Sequence, residues 1–185
     1  MPAPSPANEW TLEMLHALPE DGKRYELVDG QLLVSPSPSA AHQDVIGALY
    51  RVLWPWARQH GFDVYFAPLA ITFSPRRELQ PDLFVVPFID GRRTQDPKDL
   101  TRLVLAIEVL SPSTARYDRV VKRPVYLEQG AAEYWIVDLD SRTVERWLRG
   151  EERPELLDTS MSWTPPGAPA ALDIDLADLF RLALD

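Results

Sequence analysis

The order of hydrophobic patterns along the 185-residue chain, β-β-α-β-β-β-α-β-β, predicts an α/β (α+β) fold: a mixed β-sheet flanked by two main helices. Three stretches carry that reading. LVLAIEVLS, residues 103–111, is an apolar, β-prone run of the kind that makes a central strand covered on both faces. RYELVDGQLLVS, residues 24–35, sets Asp29-Gly30 between two alternating runs, which is a tight hairpin turn signature. Between residues 40 and 60, Val45, Leu49, Val52 and Trp56 form one helical stripe.

The other elements follow in order. Residues 1–10 read as a loose arm, rich in Pro, Ala and Ser through residue 8. TLEMLHAL (11–18) is a short helix with Thr11 as N-cap, and SPSPSA (35–40) is the loop into the long helix. Pro55 should kink or tighten that helix's last turn, and Gly61 should stop it. DVYFAPLAITFS (63–74) supplies one or two strands, and QPDLFVVPF (80–88) another. A polar connection over 89–101 precedes the Glu108 strand. SPST (111–114) then caps a helix over residues 115–129, and EYWIVD (133–138) with TVERWL (143–148) makes a strand pair. Residues 11–150 read as one domain, and 151–185 as an acidic, Pro-containing extension packing on it, with DIDLADLF (173–180) as a terminal helix.

Composition narrows the function classes. The absence of cysteine excludes disulfides, thiolate metal sites and thiol nucleophiles. No apolar stretch approaches the roughly 20 residues of a membrane span, and the N-terminus lacks a signal-peptide pattern, so a soluble cytoplasmic protein is expected. A net charge of −9 is awkward for a nucleic-acid binder. It is unevenly spread: residues 91–123 hold eight basic and four acidic residues, a local +4, which leaves −13 on the rest.

Glu108 interrupts the most apolar strand of the chain. An isolated carboxylate there costs several kcal/mol unless something meets it. Asp82 opens a second strand directly after Pro81, and acids from neighbouring strands can converge to raise each other's pKa or to bind a cation. Oxygen ligands without cysteine favour Mg²⁺ or Mn²⁺, which need only one or two carboxylates. Lys122, on the following helix, shares a face with Asp118 and Tyr126 and could reach back to Glu108. Each residue also has a plainer reading. Asp82 could cap its strand or be a salt-bridge partner, Glu108 could be a structural acid held by Lys122 or an arginine, and Asp118–Lys122 could be a solvated i, i+4 pair. Tyr134, Trp135 and Asp138 read as core and turn.

The strings YELVDGQLLVSPSPSAAH, QPDLFVV and EVLSPSTARYDRVVKRPVYLEQGAAEYWIVDLD resemble the Uma-type restriction endonuclease family of the PD-(D/E)XK nuclease-like superfamily, over roughly residues 10–150. The resemblance implies a restriction-endonuclease-like core and a Mg²⁺-dependent phosphodiesterase, with Pro81-Asp82 as the PD element and Glu108 as the second acid. The superfamily lysine would stand at position 110, which is Leu here; Lys122 matches the helix-borne lysine of the Uma-type variant. Glu26 and His42 match a first-strand glutamate and a histidine before the long helix. Against this, strand alternation leaves Glu26 free to point outward, and His42 continues the apolar stripe as a packed core histidine.

On the nuclease reading, Asp82 and Glu108 hold Mg²⁺ or Mn²⁺ with the backbone carbonyl of Val109 as a further ligand. Lys122 orients the attacking water, and Glu26 serves a second metal or the water. The expected partner is nucleic acid, DNA first, and analogy with enzymes that cut both strands suggests a homodimer. The alternative is a catalytically silent nuclease fold acting as a binding or assembly module, with Trp54, Trp56 and Trp163 available for a partner surface or for the core. A nuclease that borrows its DNA-binding surface from a partner lies between the two. No recognition helix or base-stacking motif names the target.

Overall fold

A computed structural model describes residues 9–93 and 96–185; residues 1–8 of the expected arm lie outside them. Thr11 caps α1 (Leu12–His16), its hydroxyl accepting the Met14 N–H. The hairpin pairs β1 (Arg24–Val28) with β2 (Gln31–Ser35), and Asp29 and Gly30 take φ of 50° and 86°. Two successive left-handed residues are what a two-residue hairpin turn of matching twist requires, and Asp-Gly supplies them with little strain. Helix α2 (Ala40–Gln59) starts from a Ser39 cap and runs through Pro55. The His60 N–H then closes on Ala57 O, three residues back, so the last turn tightens before Gly61 redirects the chain at φ 84°.

Strands β3 (Phe62–Phe66), β4 (Ile71–Ser74), β5 (Arg77–Leu79), β6 (Leu83–Pro87) and β7 (Leu105–Val109) follow. The polar connection before β7 ends in a 3-10 turn, Pro97–Thr101. The helix expected over 115–129 is interrupted: α3 (Ala115–Tyr117) and α4 (Arg123–Glu128) flank a π-helical turn at Asp118–Lys122. Beyond it lie β8 (Glu133–Asp138), β9 (Thr143–Leu148), β10 (Glu155–Leu157), β11 (Ser160–Trp163), β12 (Leu172–Asp175) and α5 (Leu176–Leu184). The terminal helix therefore starts later than expected. Leu172 and Ile174 alternate and pair with β11, and Asp175 is the cap of α5, accepting the Asp178 N–H.

The strands divide between sheets. A six-stranded mixed sheet has the order β10-β9-β8-β7-β6-β3, and a four-stranded antiparallel sheet the order β2-β1-β5-β4. The β7–β8 pairing is parallel, and the α3–α4 segment makes the crossover that such a pair requires. β5 has no counterpart in the sequence reading, because three residues centred on a glutamate show no usable period.

Alternation along the central strands sets the layers. Leu83, Val85, Leu105, Ile107, Trp135 and Val137 point to one side, where they pack with Val45, Leu49 and Leu53 of α2 and Leu179 and Phe180 of α5. Trp163 joins this core against Trp56 and Trp135, while Trp54 is exposed. Phe84, Ala106, Tyr134 and Ile136 point to the other side, onto Tyr126 of α4 and onto Val28, Leu33, Ile71 and Leu79 of the smaller sheet. Glu108 has the parity of Ala106, and Asp82 that of Phe84. Both acids therefore face the smaller sheet and the interrupted helix. Among the described residues no helix is long and apolar enough to cross a membrane.

Candidate active site

The β6–β7 register pairs Leu83 with Ile107 and Phe84 with Ala106, which sets Asp82 directly across from Glu108. Opposed residues on antiparallel strands share a face, so the two carboxylates converge at the sheet's end. Both are buried, and both line a cavity of about 830 Å³ together with His42, Val109, Ser111 and Lys122.

Lys122 meets Glu108. Its Nζ lies 3.1 Å from Glu108 Oε1, 2.7 Å from Glu26 Oε2 and 3.4 Å from Asp118 Oδ1. The i, i+4 pair expected on the helix is therefore present, but buried and not solvated. The π-helical turn spans both of its members, and such single-turn π insertions recur at functional sites. Tyr126 donates its hydroxyl to Glu108 Oε1 at 3.1 Å, and Tyr134 donates to the Asp118 carbonyl at 3.1 Å.

Asp82 is held from three directions. Arg24 Nη1 donates to Oδ1 at 2.7 Å, Val109 N–H to Oδ2 at 2.8 Å, and His42 Nε2 lies 3.1 Å from Oδ2. The Val109 amide is available because it lies beyond the last paired residues of β6 and β7. His42 is thus part of the site and not simply a core residue. Its Nδ1 is buried with no hydrogen-bond partner among the described residues.

Glu26 points inward. It is fully buried, Oε1 accepts the Gln80 N–H at 2.8 Å, and Oε2 is paired with Lys122. It stands behind the lysine and does not line the cavity. The direct metal or water role expected of it would require release from both partners.

The electrostatics separate the two acids. Burial pushes the Asp82 carboxyl up, but the His42 hydrogen bond and the Arg24 charge hold it well below the usual carboxylate range. Burial pushes Glu108 well above its ordinary value and raises Asp118, with the Lys122 charge opposing in both cases. Burial acts against the Lys122 ammonium, yet Glu108, Glu26 and Asp118 together raise its pKa. Three buried carboxyls share one ammonium.

A carboxyl whose pKa is higher folded than unfolded favours the folded state below its ordinary value of 4.5, and that stability is lost as pH rises toward the elevated value. Glutamine lacks this titration. The melting temperature of Glu108→Gln in EDTA should therefore gain on wild type as pH rises above the ordinary carboxylate range. A difference that stays constant over this rise, or moves the other way, would contradict a protonated Glu108.

The sequence reading missed Arg24, which lies two residues before Glu26 on the same face of β1 and shares its open choice of side. The basic segment proved less relevant than its position suggests. Of its eight basic residues, Arg119 and Lys122 line the cavity. Arg93 instead pairs with Asp63, and Lys98 with Asp96.

A metal fit can be judged from the donors. Among the described residues no group of three or more His, Asp or Glu side chains forms a ready metal cage. Mg²⁺ commonly takes one or two carboxylates and keeps several waters, so two opposed carboxylates suit it. They already converge on a cation, since Arg24 Nη1 lies 2.7 Å from Asp82 Oδ1 and 4.0 Å from Glu108 Oε2.

Two opposed buried acids thus stand beside a helix-borne lysine at the end of a mixed sheet. The chain belongs to the Uma2 family, described as "Putative restriction endonuclease", whose model matches residues 12–177 and so extends past residue 150. It is similar in structure to a nuclease of Anabaena variabilis ATCC 29413, described as putative and belonging to DUF820. The TM-score is 0.75 at 22% identity, covering 95% of this chain and 99% of that one. The two share a fold. A comparison with curated proteins returns no match.

Proposed function

We propose that this protein is a metal-dependent nuclease that hydrolyses phosphodiester bonds, with DNA as the first substrate to test. The observation that carries the reading is the opposed pair Asp82 and Glu108 at the cavity wall with Lys122 against Glu108. A bound Mg²⁺ or Mn²⁺ would supply Lewis-acid polarisation of the phosphoryl oxygen and acidify water. Asp82, kept ionised by His42 and Arg24, offers a full negative charge to hold such an ion. Glu108 supplies the second carboxylate once its proton is lost, and the Val109 carbonyl is a third donor. Lys122 keeps its positive charge beside the reacting group, where it orients water and offsets the negative charge that develops. Glu26 and Asp118 fix that ammonium in place.

The cavity lining carries Arg24, Arg119, Lys122 and Arg142 against Asp82, Glu108, Asp138 and Asp140, so its formal charge is balanced. A phosphodiester gains little attraction from such a surface without a divalent ion. Supercoiled plasmid should therefore be nicked in Mg²⁺ or Mn²⁺ and left intact in EDTA. No cleavage of plasmid, single-stranded DNA or RNA in either metal would remove this reading.

A second reading is a silent nuclease fold serving as a binding module. It is favoured by one observation: both acids are already paired with protein cations. Calorimetric titration with Mn²⁺ separates the two, because a silent module has no reason to bind the ion through Asp82 and Glu108.

A further inference from the structure

We infer that Arg24 is a built-in counter-cation that stands at the metal position and must move aside before a divalent ion can enter. The inference rests on the metal-dependent reading above. Arg24 comes from β1, in the smaller sheet, and reaches across to acids carried by the larger one. A single nitrogen, Nη1, lies 2.7 Å from Asp82 Oδ1, 3.2 Å from Gln80 O and 4.0 Å from Glu108 Oε2. That nitrogen occupies the point on which the two carboxylates converge.

Charge explains why a cation is needed there. Glu26, Asp82, Glu108 and Asp118 are all buried within one cluster, and Lys122 is committed to three of them. Asp82 has no contact with Lys122 in this arrangement. Without Arg24 it would keep only the His42 contact and the Val109 amide. A guanidinium stays charged at any physiological pH, so it cannot be neutralised out of the way. It can be displaced by an ion of higher charge. A route exists, because the Arg24 side chain is 18% exposed and lines the cavity. The metal-free protein is thereby stabilised at the expense of metal affinity, and loading becomes an exchange of one cation for another.

The test is calorimetric Mn²⁺ titration of wild type, Arg24→Met, Arg24→Lys and Glu108→Gln, with melting curves in EDTA and in Mn²⁺. Methionine keeps an apolar stem of similar reach without the charge. Arg24→Met should bind Mn²⁺ at least about tenfold more tightly than wild type, since like-charge competition at contact distance is removed. It should also melt lower in EDTA and gain more from Mn²⁺ than wild type does. Arg24→Lys, shorter and without the fork, should fall between the two. If Arg24→Met does not fold in EDTA, Arg24→Lys carries the test, and affinity equal to or weaker than wild type overturns the proposal. Equal binding by wild type and Arg24→Met, lost in Glu108→Gln, would overturn the role of Arg24 and leave the metal site standing. No Mn²⁺ binding by wild type or by either Arg24 variant would overturn the metal-dependent reading itself, and this inference with it.

Discussion

Glu108→Gln is expected to reduce divalent-dependent cleavage by about a thousandfold or more while leaving the protein folded. Glutamine has the same shape as glutamate. Its carbonyl oxygen can still accept from Tyr126 and Lys122, which both reach Glu108 Oε1 at 3.1 Å. What it cannot do is supply a negative charge to a cation. Asp82→Asn should lose activity to the same degree but should also destabilise the protein. Asp82 accepts from Arg24 on one oxygen and from Val109 on the other, with His42 beside it, and an amide offers a single acceptor oxygen. The two variants therefore share an activity loss and differ in melting temperature. Wild-type cleavage by Glu108→Gln, purified in parallel, would mean that the activity arises elsewhere or from a contaminant.

The largest effect on stability is expected at Lys122. Lys122→Met removes the one ammonium shared by Glu26, Glu108 and Asp118, all of them buried. Removing one partner of a buried ion pair typically costs about 3–5 kcal/mol, because it strands an uncompensated charge. For a chain of this size that corresponds to a fall in melting temperature of about 6–20 °C. Glu108 and Asp118 lessen the damage, since burial already raises their pKa values and favours the protonated forms. Glu26 makes the shortest of the three contacts with the ammonium, 2.7 Å, and so loses the most. The double variant Lys122→Met/Glu26→Gln should recover much of the loss, and a thermodynamic cycle would measure the coupling between the two. A Lys122→Met protein that melts like wild type would show that the ammonium is not paired as described.

Much of this candidate site is legible in the sequence. Glu108 is conspicuous because an acid in a run of Leu, Val, Ala and Ile needs a partner. Asp82 is marked by Pro81 and the strand that follows. Lys122 was recognised by its match to a helix-borne lysine, at a distance in sequence that local spacing alone could not have justified. The hairpin, the long helix and the central strand were equally clear, because each has its own period or turn chemistry within a few residues.

Other features were not visible for a definite reason. Strand β5 is too short to carry a period, and the π-helical turn has no sequence signature distinct from a plain helix. Glu26 sits in a strand whose alternation allowed either face, and only the packing of the small sheet on the interrupted helix turned it toward Lys122. Arg24 inherited the same ambiguity. The basic segment over residues 91–123 looked relevant because it surrounds Glu108 in the chain, yet most of it lies away from the cavity.

Residue type and local order by themselves determined that Glu108 needs a partner, because an ionisable group in an apolar run has a desolvation cost that no local structure can relieve. The tertiary structure alone decided what relieves it. Strand register put Asp82 opposite Glu108, and the meeting of two sheets and a helix supplied Lys122 and Arg24 to their carboxylates. Those partners lie between 14 and 84 residues from the acids they neutralise, and such distances are set by packing and not by sequence spacing.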